Sequence, residues 1–275
     1  MNRQTLEEIE QVEESVIFEQ ADSQIVQVGF TTDKSTLLQI AKSAACMNNE
    51  GTFTITDEGL MYRDMDPSHV SMADISIPNS CFEKWSCIEE QKFALNLDEF
   101  IKLVNSLDAK GSVSLVIEKE KILVSQNGFT ANIKTIETSV SDVPLPKIGY
   151  NSSLIINADQ NINALDFKKT LNKISTVSDY VTINANDDRV ILSGKGDNGN
   201  SEITFSKDDF EIKSREESKT TYNFEYLMPI LKTLNKNSKV ELEFSSMKPM
   251  RMRIQINKNI PFSRVDFYLA PRVEN

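Results

Sequence analysis

A stretch of the chain that begins at Asn96 is largely repeated 127 residues later, and this repeat constrains the fold more than any other feature. The first copy reads Asn-Leu-Asp-Glu-Phe-Ile-Lys-Leu-Val-Asn-Ser-Leu, and the second copy begins at Asn223. Apolar residues recur at positions i, i+3, i+4 and i+7, the pattern of a one-sided helix. The apolar residues are Phe100, Leu103, Val104 and Leu107, and their equivalents are Leu227, Ile230, Leu231 and Leu234.

Both copies then change to a period of two residues, which is typical of a half-buried strand. Val113, Leu115 and Ile117 alternate with polar residues, as do Val240, Leu242 and Phe244. A helix followed by strands therefore occurs twice, half a chain apart, and each half reads as strand, helix, strands, helix, strands. Such repeats decide an architecture, so the sequence predicts two copies of one α+β domain.

The length of 275 residues fits two domains of the usual size of roughly 100–150 residues. We predict an acidic N-terminal extension over residues 1–24, a first domain over 25–136, a connecting loop over 137–153 and a second domain over 154–275. Pro144 and Pro146 hold the loop extended. Residues 1–24 carry seven acidic side chains and one arginine, so −6 of the net charge of −11 lies there.

The composition favours an intracellular protein. We find neither a signal-peptide pattern nor an apolar run of about 20 residues. Cys46, Cys81 and Cys87 are odd in number and lack metal-site spacing, so we expect reduced thiols.

Three motifs are candidates for catalysis. Gly194–Gly199 has the letters G-x-G-x-x-G, but a strand is predicted after it, which favours a hairpin over a nucleotide site. Asp64 and Asp66 could hold Mg²⁺, although short acidic turns are common. His69 is the only histidine and has no nucleophile beside it in the sequence. The sequence therefore predicts a binding protein with no catalytic residues, no metal and no cofactor.

Lysines are the stronger functional signal. Every predicted helix carries lysine away from its apolar stripe, including a helix over Lys34–Met47 that Thr32 or Asp33 can cap. Solvated lysines are common on any one helix, but four equivalent helices in a repeat could share one basic surface, which would bind phosphates without reading bases. The lysines of this predicted surface are Lys34, Lys42, Lys102, Lys168, Lys169, Lys173, Lys232 and Lys236.

Two further motifs resemble a known family. Gly59-Leu-Met-Tyr-Arg-Asp-Met-Asp-Pro-Ser-His-Val-Ser-Met-Ala-Asp and the C-terminal Phe267-Tyr-Leu-Ala-Pro-Arg-Val-Glu are similar to segments of the sliding clamps of the proliferating cell nuclear antigen (PCNA) family. Asn198-Gly199-Asn200 before a strand also fits. Asn186 stands where eukaryotic members carry a modifiable lysine, so the likeness leans towards archaeal or viral clamps. The acidic extension is a departure from the usual member.

The resemblance implies a toroid of three chains, with antiparallel sheets outside and helices lining a hole that encloses duplex DNA. Its partners would be DNA polymerase, the clamp loader, flap endonuclease, ligase and other proteins with a clamp-binding motif. It would act in the cytoplasm or nucleoid of an archaeon, or in a nucleus or replication compartment. Two alternatives remain open: a subunit of a heterotrimeric clamp, and a Mg²⁺-dependent enzyme that uses Asp64 and Asp66.

The resemblance also implies two protein-binding surfaces. Partner peptides would enter a pocket under the connecting loop, formed by Met65, His69, Val70, Val143, Leu145, Pro146, Pro249, Tyr268, Ala270 and Pro271. The ring would close by pairing edge strands, with Phe129, Ile133 and Ile136 from one subunit and Ile203 and Phe205 from the next.

Overall fold

In the residues that the structure describes, each half of the chain forms nine strands and two α-helices in the same order. The computed structural model describes residues 27–138, 143–157, 160–256, 260 and 262–273. The predicted extension over residues 1–24 lies outside the described residues, as does part of the connecting loop, residues 139–142. The predicted α+β class is confirmed.

The helices are α1 (Lys34–Ala44) and α2 (Leu97–Ser106) in the first half, and α3 (Ala164–Ser175) and α4 (Phe224–Lys232) in the second. The first nine strands are β1 (Gly29–Asp33), β2 (Glu50–Ile55), β3 (Gly59–Met65), β4 (Ser71–Pro78), β5 (Lys84–Ser86), β6 (Gln91–Asn96), β7 (Ser112–Ile117), β8 (Lys121–Gln126) and β9 (Phe129–Lys134). The second nine are β10 (Ser152–Ile156), β11 (Tyr180–Ala185), β12 (Arg189–Gly196), β13 (Gly199–Ser206), β14 (Glu211–Ser214), β15 (Ser218–Asn223), β16 (Lys239–Phe244), β17 (Met250–Gln255) and β18 (Arg264–Leu269).

The repeat has a local physical cause at each second helix. Asn96 precedes α2, and its side chain accepts a hydrogen bond from the backbone N–H of Glu99. Asn223 precedes α4 and accepts from Glu225 in the same way. Asparagine is a favoured helix N-cap because it satisfies an unpaired N–H of the first turn. The two helices therefore start 127 residues apart, as the repeat predicted.

The strands form three sheets, and the largest crosses from one domain into the other. The nine-stranded sheet has the order β14-β10-β16-β17-β18-β4-β3-β2-β6. Its joint is the antiparallel pair of β18 from the second domain and β4 from the first, where Tyr268 lies opposite Met72. A five-stranded sheet, β5-β1-β7-β8-β9, and a four-stranded sheet, β13-β12-β11-β15, complete the domains.

The core lies between the sheets and the helices. The apolar stripe of α1 is buried through Leu37, Ile40, Ala41 and Ala44. The corresponding stripe of α3 is buried through Phe167, Leu171 and Ile174. Because one face of each helix packs on the sheets, the opposite face carries its lysines. None of the helices in the described residues has the length and apolar character needed to cross a bilayer.

Several predicted boundaries are wrong in detail. Helix α1 ends at Ala44, three residues before the predicted Met47. Helix α4 starts at Phe224, which places Pro229 in its second turn, where proline removes a helical hydrogen bond, rather than in the first. Strand β10 begins at Ser152, so the last two residues assigned to the connecting loop belong to the second domain's sheet.

Candidate functional sites

The helical lysines are mostly free to meet a polyanion. Lys42, Lys102, Lys173 and Lys232 are exposed on their helices, and Lys168 is half-buried on α3. Lys169 is exposed and pairs with Asp166 one turn earlier, with 3.0 Å between Nζ and Oδ1. Lys236 is also exposed, but α4 ends at Lys232, so the prediction that placed Lys236 on that helix is wrong.

Lys34 has a structural role that the sequence did not reveal. Its Nζ donates to the backbone oxygen of Asn105 at 2.8 Å and to that of Leu107 at 2.5 Å. These carbonyls lie at the C-terminal end of α2, where helices leave oxygens unsatisfied and favour a cation. Lys34 therefore caps the neighbouring helix, and its assignment as a DNA-facing lysine stays a prediction.

The connecting loop lies on the outer face of the nine-stranded sheet. Arg63 Nη1 donates to the backbone oxygen of Val143 at 3.4 Å, near the start of the described part of the loop. Lys248 Nζ donates to Gly149 O at 3.3 Å near its end. Because Arg63 belongs to the first domain and Lys248 to the second, the loop crosses the joint between the domains.

Beneath the loop, several predicted pocket residues share the outer sheet face. Met65 pairs with Met72 across β3 and β4, and Met72 pairs with Tyr268 across β4 and β18. The strand pairing continues past β18, where Ala270 N donates to Val70 O at 2.9 Å. These contacts bring Met65, Val70, Tyr268 and Ala270 together, although they lie about 200 residues apart in the sequence.

Leu145 is an exposed apolar side chain in the described part of the loop, with 40% of its surface accessible. Tyr268 is buried, so its ring forms a floor rather than a rim. The other predicted pocket members are His69, which is exposed, and Val143, Pro146, Pro249 and Pro271, which are partly exposed.

Tyr150 is a residue that the sequence analysis missed. It lies in the connecting loop with the Arg251 guanidinium 5.4 Å from its ring centroid. Burial raises the pKa of the Tyr150 hydroxyl, and its oxygen is buried without a hydrogen-bond partner among the described residues. The sequence did offer a signal for Tyr150, because it is an aromatic residue in a proline-containing loop. Leu145 was identified by the same reasoning, as an apolar residue in that loop.

The carboxylates of the acidic turn accept hydrogen bonds from within the chain. Asp66 Oδ1 accepts from Val70 N at 2.8 Å, and Oδ2 accepts from Ser68 N at 2.8 Å. This arrangement supports His69 at a φ of 56°, a left-handed conformation that few residues other than glycine adopt. Asp64 instead accepts from Asn48 Nδ2 at 2.6 Å. Within the described residues, no group of three or more candidate ligands is placed to hold a metal ion.

The predicted interface strands are both sheet edges in the single chain. Strand β9 ends the five-stranded sheet, and β13 ends the four-stranded sheet. Phe129 on β9 is 48% exposed, which is unusual for so large an apolar side chain. Ile203 on β13 is partly exposed.

Two of the predicted interface side chains, Phe205 and Ile133, do not face outward. Phe205 has 0% exposure and packs against Phe167 and Phe210, so its side chain belongs to the core. Ile133 is also buried. Ile136 N donates to Ala94 O of β6 at 2.9 Å, so its backbone is already bonded within the chain. Residues two or four apart share a face of a strand, so Phe205 lies on the face of Ile203 and Ile133 on the face of Phe129. The chain's own core covers Phe205 and Ile133 and leaves Phe129 exposed.

The glycine-rich motif forms a hairpin, as predicted. Strand β12 ends at Gly196 and β13 starts at Gly199, with these two residues paired. A dinucleotide site would need a helix N-terminus directly after the motif, and a strand occupies that position.

Comparison with known sequences identifies both halves. The model of the N-terminal domain of proliferating cell nuclear antigen matches residues 30–146, and that of its C-terminal domain matches residues 145–272. The DNA polymerase sliding clamp of Nitrosopumilus maritimus is 41% identical over 251 residues, covering 89% of this chain and 98% of that protein. The sliding clamp of Cenarchaeum symbiosum is 39% identical with the same coverage.

Solved structures agree on the fold. A PCNA of A. fulgidus with the C-terminal region of FEN-1 bound superposes with a TM-score of 0.81 at 19% identity, covering 90% of this chain and 99% of that one. The PCNA2–PCNA3 complex of Sulfolobus tokodaii gives 0.78 at 24% identity, covering 90% and 100%.

Proposed function

The chain belongs to the proliferating cell nuclear antigen family, and from that premise we propose that three copies of it close into a ring around duplex DNA. The protein is a DNA polymerase sliding clamp, a docking platform without catalytic activity of its own. Its site of action is inside the cell, and its archaeal relatives favour the cytoplasm, beside the nucleoid.

One observation supports the ring proposal: in the repeat, the five-stranded and four-stranded sheets are the counterparts of the two parts of the nine-stranded sheet. The nine-stranded sheet is five strands of the second domain joined to four of the first through β18 and β4. In the repeat, β9 corresponds to β18 and β13 corresponds to β4. The two free edges are therefore the counterparts of two edges that already pair within the chain, and pairing them would complete another nine-stranded sheet.

The internal joint also supplies the expected register. Val265 of β18 lies opposite Ile75 of β4. Matching the strand pairs of the two halves makes Phe129 the counterpart of Val265 and Ile203 that of Ile75. We therefore expect Phe129 to lie opposite Ile203 of the partner subunit, in an antiparallel edge pairing. This contact would cover the exposed Phe129 ring.

The helices then line the ring. Lys42, Lys102, Lys168, Lys173 and Lys232 would face the enclosed duplex and contact phosphates without reading bases. A net charge of −11 does not oppose this function, because topological linkage replaces tight affinity and a weakly basic lining allows sliding.

The docking surface is the outer face around Leu145 and Tyr268. FEN-1 binds A. fulgidus PCNA through its C-terminal region. We infer that flap endonuclease, DNA polymerase, ligase and the clamp loader insert an apolar anchor beside Leu145, over the Tyr268 ring. The exposed Leu145 near the partly buried Met65 and Val70 supports this, since exposed apolar clusters commonly mark binding sites.

Molar mass tests the ring proposal. Light scattering across a protein-concentration series is expected to give three times the chain mass of 31.1 kDa. A mass of one chain at every concentration would contradict self-assembly and favour a subunit of a heterotrimeric clamp. Retention on circular duplex DNA, abolished when the circle is linearised, then distinguishes encirclement from ordinary DNA binding.

A further inference from the structure

The joint between the two domains has a second contact on its helical side. Asn235, just after α4, donates through Nδ2 to Gln39 Oε1 of α1 at 3.3 Å, across 196 residues of sequence. Gln39 is a polar residue of α1 and is nevertheless buried, with 9% of its surface exposed. The contact is close to Lys232, whose positive charge acts on the Cys46 thiol that follows α1. The C-terminal end of α4 therefore packs beside α1.

The repeat identifies the counterparts of these two residues. Glu50 pairs with Asn96 in the first domain as Tyr180 pairs with Asn223 in the second, so α1 corresponds to α3 with an offset of 130 residues and α2 to α4 with an offset of 127. The counterpart of Gln39 is Lys169, and that of Asn235 is Asp108. The neutral amide pair Gln39–Asn235 lies at the joint inside the chain. Its counterparts, Lys169 and Asp108, carry opposite charges and lie on the two surfaces that would meet neighbouring subunits.

Both side chains are available in the single chain. The Lys169 side chain is 69% exposed, whereas its counterpart Gln39 is buried at the internal joint. The Asp108 carboxylate is exposed, accepts from Asn127 Nδ2 at 2.9 Å, and has no salt bridge in the part of the chain that the structure describes. Lys169 already pairs with Asp166, and an ammonium group has three donors, so it can serve two carboxylates.

We propose that Lys169 of each subunit pairs with Asp108 of the partner subunit, forming a charged seam between α3 and the end of α2. This inference rests on the proposed ring. It assigns Lys169 to assembly rather than to DNA, although the sequence groups it with the DNA-facing lysines. The basic side and the acidic side occur on the same chain, so the surface is complementary to a second copy of this chain in a head-to-tail arrangement.

The seam adds orientation and salt sensitivity to the edge pairing of β9 and β13. Charges across an interface suppress wrong partners, because like charges brought together repel each other. Exposed charges more than about 10 Å apart are screened at roughly 0.1 M salt, and close pairs lose part of their attraction as salt rises. We therefore expect the ring to dissociate more readily at high salt.

Charge reversal and charge exchange test the seam. Light scattering measures the protein concentration at which half of the trimer has dissociated, called the midpoint. It is measured for the full chain, for K169E, for D108K and for the double variant K169E/D108K. Each single reversal is expected to raise the midpoint at least about tenfold, because it places two like charges together. The double variant is expected to return it to within about threefold of the unmodified protein. K42E, which changes an exposed lysine of α1 away from the seam, is the matched control.

The outcomes separate the two proposals. If the unmodified protein forms trimers and the single reversals leave the midpoint unchanged, the seam is overturned and the ring stands. The seam is also overturned if the double variant is no more stable than the weaker single variant. If the unmodified protein stays a monomer at every concentration, the self-assembled ring fails first. Circular dichroism on each variant checks that a variant unable to form trimers is still folded.

Discussion

Asp266 and Asp74 lie directly opposite each other where β18 meets β4, so two carboxylates face each other across the joint between the domains. Both are buried. Asp74 is bound by Arg63 of its own domain, with 2.8 Å between Nε and Oδ1. Asp266 accepts two hydrogen bonds from Arg253, at 2.7 and 2.9 Å. Like charges in this position are unfavourable unless each has its own cation, and here each domain supplies one.

Arg253, the main partner of Asp266, should therefore stabilise the protein strongly. Arg253→Met leaves Asp266, which is 2% exposed, with Arg264 as its remaining partner at 3.2 Å. We expect the free energy of unfolding to fall by about 2–4 kcal/mol, because a buried charge loses its main partner. Chemical denaturation measures it. Arg253→Met combined with Asp266→Asn should lower the free energy of unfolding less than Arg253→Met alone. An equal loss of stability would contradict this interpretation.

The free edge of β9 should govern assembly. Phe129→Glu puts a charge opposite Ile203 of the partner subunit and removes an apolar ring whose full burial contributes about 2 kcal/mol. Light scattering should give the mass of one chain. Ile88→Glu, at an exposed apolar residue in the turn between β5 and β6 and outside both β9 and β13, should leave the trimer intact. A trimer that survives Phe129→Glu would refute the predicted register.

Lysines on the helices should differ in what they do. Lys42→Ala and Lys232→Ala should weaken duplex binding at low salt, because each removes a cation that neutralises a phosphate. The slope of log affinity against log salt should become shallower by about 0.9 for each phosphate that is no longer neutralised. Fluorescence anisotropy measures both quantities. Lys119→Ala, an exposed lysine in the turn between β7 and β8, is the control and should change neither.

Lys34 should behave unlike the other lysines. Lys34→Met removes two hydrogen bonds to the end of α2 and should lower the free energy of unfolding by about 1–3 kcal/mol, since bonds to a charged group are stronger than neutral ones. Its duplex affinity should change less than that of Lys42→Ala. The opposite order would support Lys34 as a DNA-facing lysine.

Partner binding should depend on Leu145. Leu145→Ala is expected to weaken the affinity for a peptide from the C-terminal region of FEN-1 at least tenfold by calorimetry, as for a buried apolar anchor. Because Leu145 is 40% exposed and lies in a loop outside the core, the thermal stability of the protein should change little. Val273→Ala is the matched exposed apolar control. Equal affinities would move the docking site elsewhere.

The Cys46 thiol should be unreactive in the native protein. Burial raises its pKa to about 12, while the positive charge of Lys232 opposes the shift. At pH 8 the thiol is therefore almost entirely protonated, and the thiolate is the nucleophile. Alkylation of Cys46 should be slow at pH 8 and should rise about tenfold for each pH unit up to the pKa. Mass spectrometry of peptides follows it, with the unfolded protein as the fast reference.

The sequence predicted the repeated unit well because its signals are local. Asn96 and Asn223 cap helices whose apolar stripes have period 3.6, and the strands after them alternate with period two. The outer residues of the candidate site, such as Leu145 and Phe129, could be named from the resemblance alone. Whether each faces a partner depends on contacts between distant segments.

By itself, then, the sequence determined the two α+β halves, the extended loop between them and the family resemblance, because propensity and periodicity act over a few residues. Only the tertiary structure decided which lysines are free, since Lys34 bonds to carbonyls more than 70 residues away. The burial of Phe205 in the core and the hydrogen bond from Ile136 to β6 are also visible only in the tertiary structure. The pairing of β18 with β4 lay equally outside any local pattern, because strand partners are chosen by the packing of the whole fold.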